Sequence, residues 1–182
     1  MKAWQYSSGS AGMEKRLKLN QSARLPPSAS SLGPDQTLVK VYSAALNPVD
    51  YKVAEIPVIS SLKGGATPAV DYAGQVVQTG SNTGLKQGQM VFGKLEPPPT
   101  YGTLAEYVIT SREGTVPLPD GVSPDDAATL GVAALVAYQA IKNSKPGDKI
   151  IINGGSGGTG TFGIQCAKAL GCYVTTLSLI HI

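Results

Sequence analysis

The sequence predicts an α/β chain with a β-rich N-terminal part, followed by the start of a doubly wound parallel domain. Three observations carry this. Short alternating apolar and polar segments fill the first two thirds. A helix-start signature follows at Ser123-Pro124-Asp125-Asp126. The apolar run Ile150-Ile151-Ile152 then enters the glycine loop Gly155-Ser156-Gly157-Gly158-Thr159-Gly160.

In the β-rich part, Thr37 to Ala45, Tyr72 to Thr79, Gln89 to Leu95 and Gly102 to Thr110 suit strands. They alternate at the two-residue period of a sheet with one wet face. Gly33-Pro34, Gly64-Gly65, Gly84 and Pro97-Pro98-Pro99 punctuate them, which suggests a barrel or sandwich-like β domain. Ser7 to Gly12 reads as the turn of an N-terminal hairpin and Pro26 to Pro34 as an exposed loop. Lys15, Arg16 and Lys18 alternate with Leu17 and Leu19 like the wet side of a strand. A nucleic-acid patch is disfavoured there because no aromatic residues interleave with the basic ones.

After Pro117 the pattern changes. Ser123 is placed to cap free amides, Pro124 fits the first helical position, and Asp125 and Asp126 favour the positive helix end. Gly131 to Lys142 reads as a helix apolar on most sides and therefore buried. Pro146-Gly147 turns the chain into a new strand. The domain boundary is expected between Gly121 and Pro146, with domains 1–122 and 123–182.

Ile150 to Ile152 resembles a strand covered on both faces. A helix is expected from Thr159 to Leu170, with Phe162, Cys166 and Ala169 along one stripe and Gly171 as its stop. Cys172 to Thr176 reads as the next strand. In Gly155-x-Gly157-x-x-Gly160, the first glycine makes the strand-to-helix turn. The second lets a pyrophosphate approach the backbone, and the third lets helix and strand pack closely. The helix start offers free amides and a positive dipole end to phosphates. A glycine loop alone is weak evidence, but strand, loop, helix and strand come in the required order. No Gly-Lys-Ser/Thr closes the loop, which excludes a P-loop.

An acidic residue is expected about 20 residues past the first glycine where a ribose 2′-hydroxyl is bound. That count lands on Thr175-Thr176, and no Asp or Glu follows Asp148. Hydroxyl-bearing residues tolerate a 2′-phosphate better than a carboxylate does, which favours NADPH over NADH. The predicted cofactor residues here are Gly155, Ser156, Gly157, Gly158, Thr159, Gly160, Thr175 and Ser178.

Composition bounds the rest. The chain has 182 residues, 42% hydrophobic and 15% charged, with a formal charge of +3, so it is expected to fold with a sizeable core. Cys166 and Cys172 are the only cysteines and His181 is the only histidine, so neither a zinc site nor a disulfide framework is supported. No signal-peptide run and no membrane-span-length apolar stretch occurs. The expectation is a cytoplasmic protein with no nucleic-acid partner.

Several segments together resemble the medium-chain dehydrogenase/reductase superfamily, in its zinc-free quinone oxidoreductase-like and enoyl reductase branch. They are Leu46-Asn47-Pro48-Val49-Asp50-Tyr51-Lys52, Val70-Asp71-Tyr72-Ala73-Gly74, Gly102 to Val108, Leu130 to Ala140, and Lys145-Pro146-Gly147-Asp148. The resemblance implies a GroES-like β domain followed by a Rossmann domain, with the nicotinamide in the cleft between them. It implies no zinc: zinc-dependent relatives have a catalytic Cys where Asn47 to Lys52 stands, and His-Glu where Val70-Asp71 stands. It makes Asn47, Lys52 and Tyr51 candidate catalytic residues, with Asn47 or Lys52 donating to a substrate carbonyl oxygen or the nicotinamide ribose, and adds Thr129 to the cofactor-binding candidates. Without the resemblance, Asn47-Pro48 and Val49-Asp50 read as a plain turn, Asp71 as a pairing or capping residue, and Thr129 as an ordinary helix residue.

The implied activity is NADPH-dependent reduction of small quinones or activated C=C bonds by hydride transfer. The alternatives are a trans-acting enoyl reductase of polyketide synthesis and a non-catalytic NADPH-binding protein. The resemblance also implies a longer chain, C-terminally truncated here, with Leu177 to Ile182 in place of the expected strand end. The full-length form is expected to be a homodimer. The 182-residue chain is expected to bind NADPH weakly and to turn over poorly.

Overall fold

The structure, a computed structural model, describes residues 1–6, 12–26, 31–56, 66–96 and 101–178. The chain divides into two compact units, Met1–Gly131 and Val132–Ile182.

The first unit is built on a five-stranded antiparallel sheet. Its strands are β3 (Gln36–Ala45), β4 (Asp71–Thr79), β5 (Met90–Lys94), β6 (Tyr107–Ser111) and β7 (Thr115–Pro117). Their order is β6-β3-β4-β5-β7. The expected strands at 37–45, 72–79 and 89–95 form with near-identical bounds. The fourth is shorter than expected: its first half, Gly102 to Glu106, makes isolated backbone bonds to Thr67, Pro68, Ala69 and Lys2 instead of a ladder. The sheet buries Val39, Tyr72, Val76, Val91 and Val108 almost completely. On it packs α3 (Pro124–Ala128), whose Ala127 and Ala128 meet Ala73, with Phe92, Leu118 and Val122 around them. Small residues on both elements let the helix sit close to the sheet. Ser123 caps α3, its Oγ accepting from the Asp126 amide at 3.1 Å, with Pro124 in the first turn.

The N-terminal hairpin forms, with β1 (Ala3–Gln5) antiparallel to β2 (Lys18–Asn20). Its connection differs from the expected plain turn, of which residues 7–11 lie outside the described residues. A single helical turn, α1 (Met13–Arg16), follows Gly12. Lys15 and Arg16 therefore lie on a helix rather than on the wet side of a strand. The burial of Met13 against Tyr6 and Ala66 is what draws this turn inward.

The second unit has the predicted order. Strand β8 (Lys149–Asn153) leads to α5 (Gly158–Ala169), and β9 (Tyr173–Leu177) returns parallel to β8. Gly171, at φ 78°, ends the helix as expected. Two expectations change. The buried stripe of α5 is Gly160, Gly163 and Ala167, with Cys166 half-buried and Ala169 exposed. Strand β8 is not covered on both faces, since Ile151 is 75% exposed. The segment read as one buried helix over 131–142 is instead a π-helical stretch, Leu130–Ala134, continuing into α4 (Leu135–Ile141). Ala137 and Ile141 are buried there, while Leu135, Val136 and Tyr138 are exposed.

Candidate functional site

In the first unit the candidate site grows from the junction of β3 and α2 (Pro48–Glu55). Pro48 takes the first helical position, where its missing N–H costs nothing. Asp50 reaches back so that its Oδ2 accepts the Asn47 amide at 2.6 Å. This satisfies a donor that a helix start otherwise leaves open. The Asn47 Nδ2 donates to Asp71 Oδ2 at 2.8 Å. Asp71 opens β4 and is fully buried. Just before it, Ala69 holds φ 72°, a left-handed conformation uncommon for a residue with a Cβ. Its carbonyl accepts from Thr103 at 3.0 Å, and the Pro68 carbonyl accepts from Leu104 at 3.2 Å, which fixes the bend.

A pocket of about 350 Å³ opens at this junction. That lies in the size range of small-molecule sites. Its apolar wall is Met13, Leu17, Leu46, Pro68 and Leu104; its polar groups are Asn47, Asp50, Tyr51 and Glu14. Met13 donates its amide to Glu55 Oε1 at 3.2 Å, which ties α1 to α2 on either side of the pocket. Burial pushes the Asp50 carboxyl up from 3.8 to about 6; the Asn47 amide works against that rise and the Asp71 charge adds to it.

The structure thus brings Asn47 and Tyr51 to one pocket. Lys52 does not line it and is exposed. Thr129, at the end of α3, donates its hydroxyl to the Asp126 carbonyl at 2.6 Å. Sequence reasoning took Asp50 for a turn former and missed its place on the pocket wall. The signal was present as Asn47-Pro48-x-Asp50, a helix-start pattern with its acid three residues past the cap. The contribution of α1 had no such signal, because one helical turn is too short to show a period.

In the second unit the glycine loop links β8 to α5. The tight turn falls one residue earlier than expected: Gly154 has φ 76° and its carbonyl accepts from Gly157 at 3.0 Å. Gly155 is buried, its amide bonded to the Leu177 carbonyl at 2.9 Å, and a Cβ there would run into Thr176 Oγ1. A Cβ at Gly160 would strike the Gly154 carbonyl, so the third glycine has the packing role expected of it. Gly157 and Gly158 are exposed. A Cβ at Gly157 meets only the Gly154 carbonyl at 3.4 Å, and one at Gly158 only Ala133 Cβ at 3.8 Å.

Thr161 donates to the Gly157 carbonyl, so the amides of the helix start lie ahead of that first bond. An open, side-chain-free surface at the amide-rich end of a twelve-residue helix fits a pyrophosphate. Ser156 and Ser178 come together, Ser178 Oγ donating to Ser156 Oγ at 2.9 Å. Thr159 is exposed at the helix start and Thr175 on β9. Thr176 donates to the Ile152 carbonyl at 2.9 Å. Among the described residues no group of three His, Cys, Asp or Glu side chains is placed to hold a metal ion, and no helix is long and apolar enough to cross a membrane.

Comparison with known proteins gives consistent matches. The alcohol dehydrogenase GroES-like domain matches residues 33–120. The trans-enoyl reductase pgmF of Aspergillus terreus is 52% identical over 187 aligned positions, which cover 97% of this chain and 52% of that protein. Among solved structures, the quinone oxidoreductase of Coxiella burnetii superposes with a TM-score of 0.79 at 30% identity, covering 97% of this chain and 56% of that one. The quinone oxidoreductase of Thermus thermophilus, solved also in complex with NADPH, gives a TM-score of 0.75 at 26% identity, covering 97% and 52%. The chain spans about half the length of the relatives it matches.

Proposed function

We propose that the chain, whose residues 33–120 match the alcohol dehydrogenase GroES-like domain and whose relatives are enoyl reductases and quinone oxidoreductase-like medium-chain dehydrogenase/reductases, is part of an NADPH-dependent reductase of activated C=C bonds or quinones. The observation that carries this is the loop before α5, where Gly160 packs on the Gly154 backbone and Gly157 and Gly158 leave the helix start open. Gly157, Gly158 and Thr159 would hold the pyrophosphate. The bound dinucleotide supplies a hydride. Ser156, Ser178 and Thr175 present hydroxyls rather than a carboxylate near the ribose end, which supports a 2′-phosphate and hence NADPH.

The pocket of the first unit takes the substrate. Its apolar wall excludes water from a carbonyl-activated alkene or a quinone. Asn47 has one amide hydrogen committed to Asp71. The remaining hydrogen and the Tyr51 hydroxyl are donors for a carbonyl oxygen on which charge develops. Lys52 stands second to them because it is off the pocket wall. The test is NADPH oxidation by the full chain with a free enone or quinone as acceptor. No oxidation above background with free acceptors overturns this reading, and none with carrier-bound enones either leaves a non-catalytic NADPH-binding role.

A second reading has its own support. The similarity to a trans-enoyl reductase is the strongest of those described and extends over nearly the whole chain. It favours an enoyl group delivered on a carrier protein of polyketide synthesis. Oxidation of NADPH with carrier-bound but not free enones distinguishes this from the first reading.

A further inference from the structure

The pocket holds one group that the proposed chemistry has not used. Asp50 stands on its wall. One of its oxygens accepts the Asn47 amide, while Oδ1 is closed off from solvent and has no hydrogen-bond partner. An enclosed carboxylate oxygen without a donor is costly; the same oxygen carrying a proton is neutral and becomes a donor itself. The titratable groups around it do not relieve the charge. Asp71 lies beyond Asn47, Glu14 shares the pocket wall, and Tyr51 is the neighbouring residue. On the same helix Glu55 is engaged by the Met13 amide and Lys52 is exposed. No cation pairs with Asp50 among the described residues. Burial accordingly holds its carboxyl high, at about 6.

Resting on the reductase reading above, we propose that Asp50 is the proton donor of the pocket: turning about its Cβ–Cγ bond, its carboxyl presents the Oδ1–H to the space it lines and protonates the α-carbon of an activated alkene whose apolar arm lies along Met13, Leu17 and Leu104. Once a hydride from the reduced nicotinamide has formed the C–H bond at the β-carbon, the alkene electron pair rests on the substrate as an enolate. The Asp50 O–H bond then breaks and the new C–H bond forms at the α-carbon, consuming the enolate charge. The Asp50 carboxylate that remains, still facing the pocket, takes a proton back from water that enters as the product leaves.

The test labels the aspartate carboxyl carbons and titrates them by NMR in the full chain, with mesityl oxide as the enone probe. One carboxyl is expected with a midpoint of about 6, missing in Asp50→Asn. Mesityl oxide, without cofactor, raises that midpoint, because its apolar arm displaces water from the pocket beside the carboxyl and so disfavours the charged form. A midpoint in the ordinary aspartate range, or one that the enone leaves unmoved, overturns the proposal.

With NADPH in heavy water, the unmodified chain is expected to place deuterium on one face of the α-carbon. Asp50→Asn slows turnover by about 100-fold with NADPH affinity unchanged. Unaltered rate and labelling in that variant also overturn the proposal. If mesityl oxide moves the midpoint but no NADPH is oxidised, the reductase reading fails while Asp50 stands as the proton-bearing group of the pocket.

Discussion

Asn47 donates its side-chain amide to Asp71, 24 residues along the chain, at 2.8 Å, and so ties the first turn of α2 to the buried start of β4. Removing the donor takes one hydrogen bond from a buried carboxylate. Asn47→Ala is expected to lower stability by about 1.5–3 kcal/mol, the range for hydrogen bonds to charged groups. Urea unfolding against the unmodified chain measures this; a loss below about 0.5 kcal/mol contradicts the contact.

The loop glycines separate packing from ligand approach. Gly160→Ala drives a Cβ into the Gly154 carbonyl and is expected to cost about 1–3 kcal/mol through overpacking. Gly158→Ala meets only Ala133 Cβ at 3.8 Å. It is expected to leave the melting temperature unchanged or slightly raised, yet to weaken NADPH binding by covering the helix start. Thermal melts and cofactor titration of both variants check the split.

Asp50 predicts a pH dependence of unusual sign. Its folded-state value, about 6, lies above the ordinary 3.8. The folded chain therefore holds this proton where the unfolded chain has released it. Below about pH 4 the group is protonated in both states and costs nothing; as pH rises from about 4 to 6 its contribution turns unfavourable and then levels off. Urea midpoints across that window are expected to fall less steeply in Asp50→Asn than in the unmodified chain.

Ser123 is a plain cap and serves as a control. Ser123→Ala removes the acceptor for the Asp126 amide and is expected to cost about 0.5–2 kcal/mol. Unfolding in urea reads the cost, and NADPH affinity is expected to stay the same.

Local signals carried most of the fold. The strands at 36–45 and 71–79 alternate at a sheet period, Ser123-Pro124 marks a helix start, and Ile150 to Gly160 reads as strand, loop and helix. The residues that build the pocket were harder to see. Met13 and Leu17 lie on or beside a single helical turn, and no period develops over four residues. The Asn47 contact with Asp71 is set by the pairing of β3 with β4, which sequence spacing does not reveal. Asp50 and Gly154 were legible as types, a turn acid and a loop glycine, but their roles follow from burial and from a positive φ. Apolar content also misled: Ile151, Val136 and Tyr138 read as buried and are exposed.

The most direct test of the glycine loop as an NADPH site is a fluorescence titration of the full chain with NADPH and with NADH. Saturable binding is expected, with NADPH favoured by about tenfold or more, roughly 1.4 kcal/mol, and lost in Gly157→Ala. No saturable binding of either dinucleotide, or tighter binding of NADH, would contradict it.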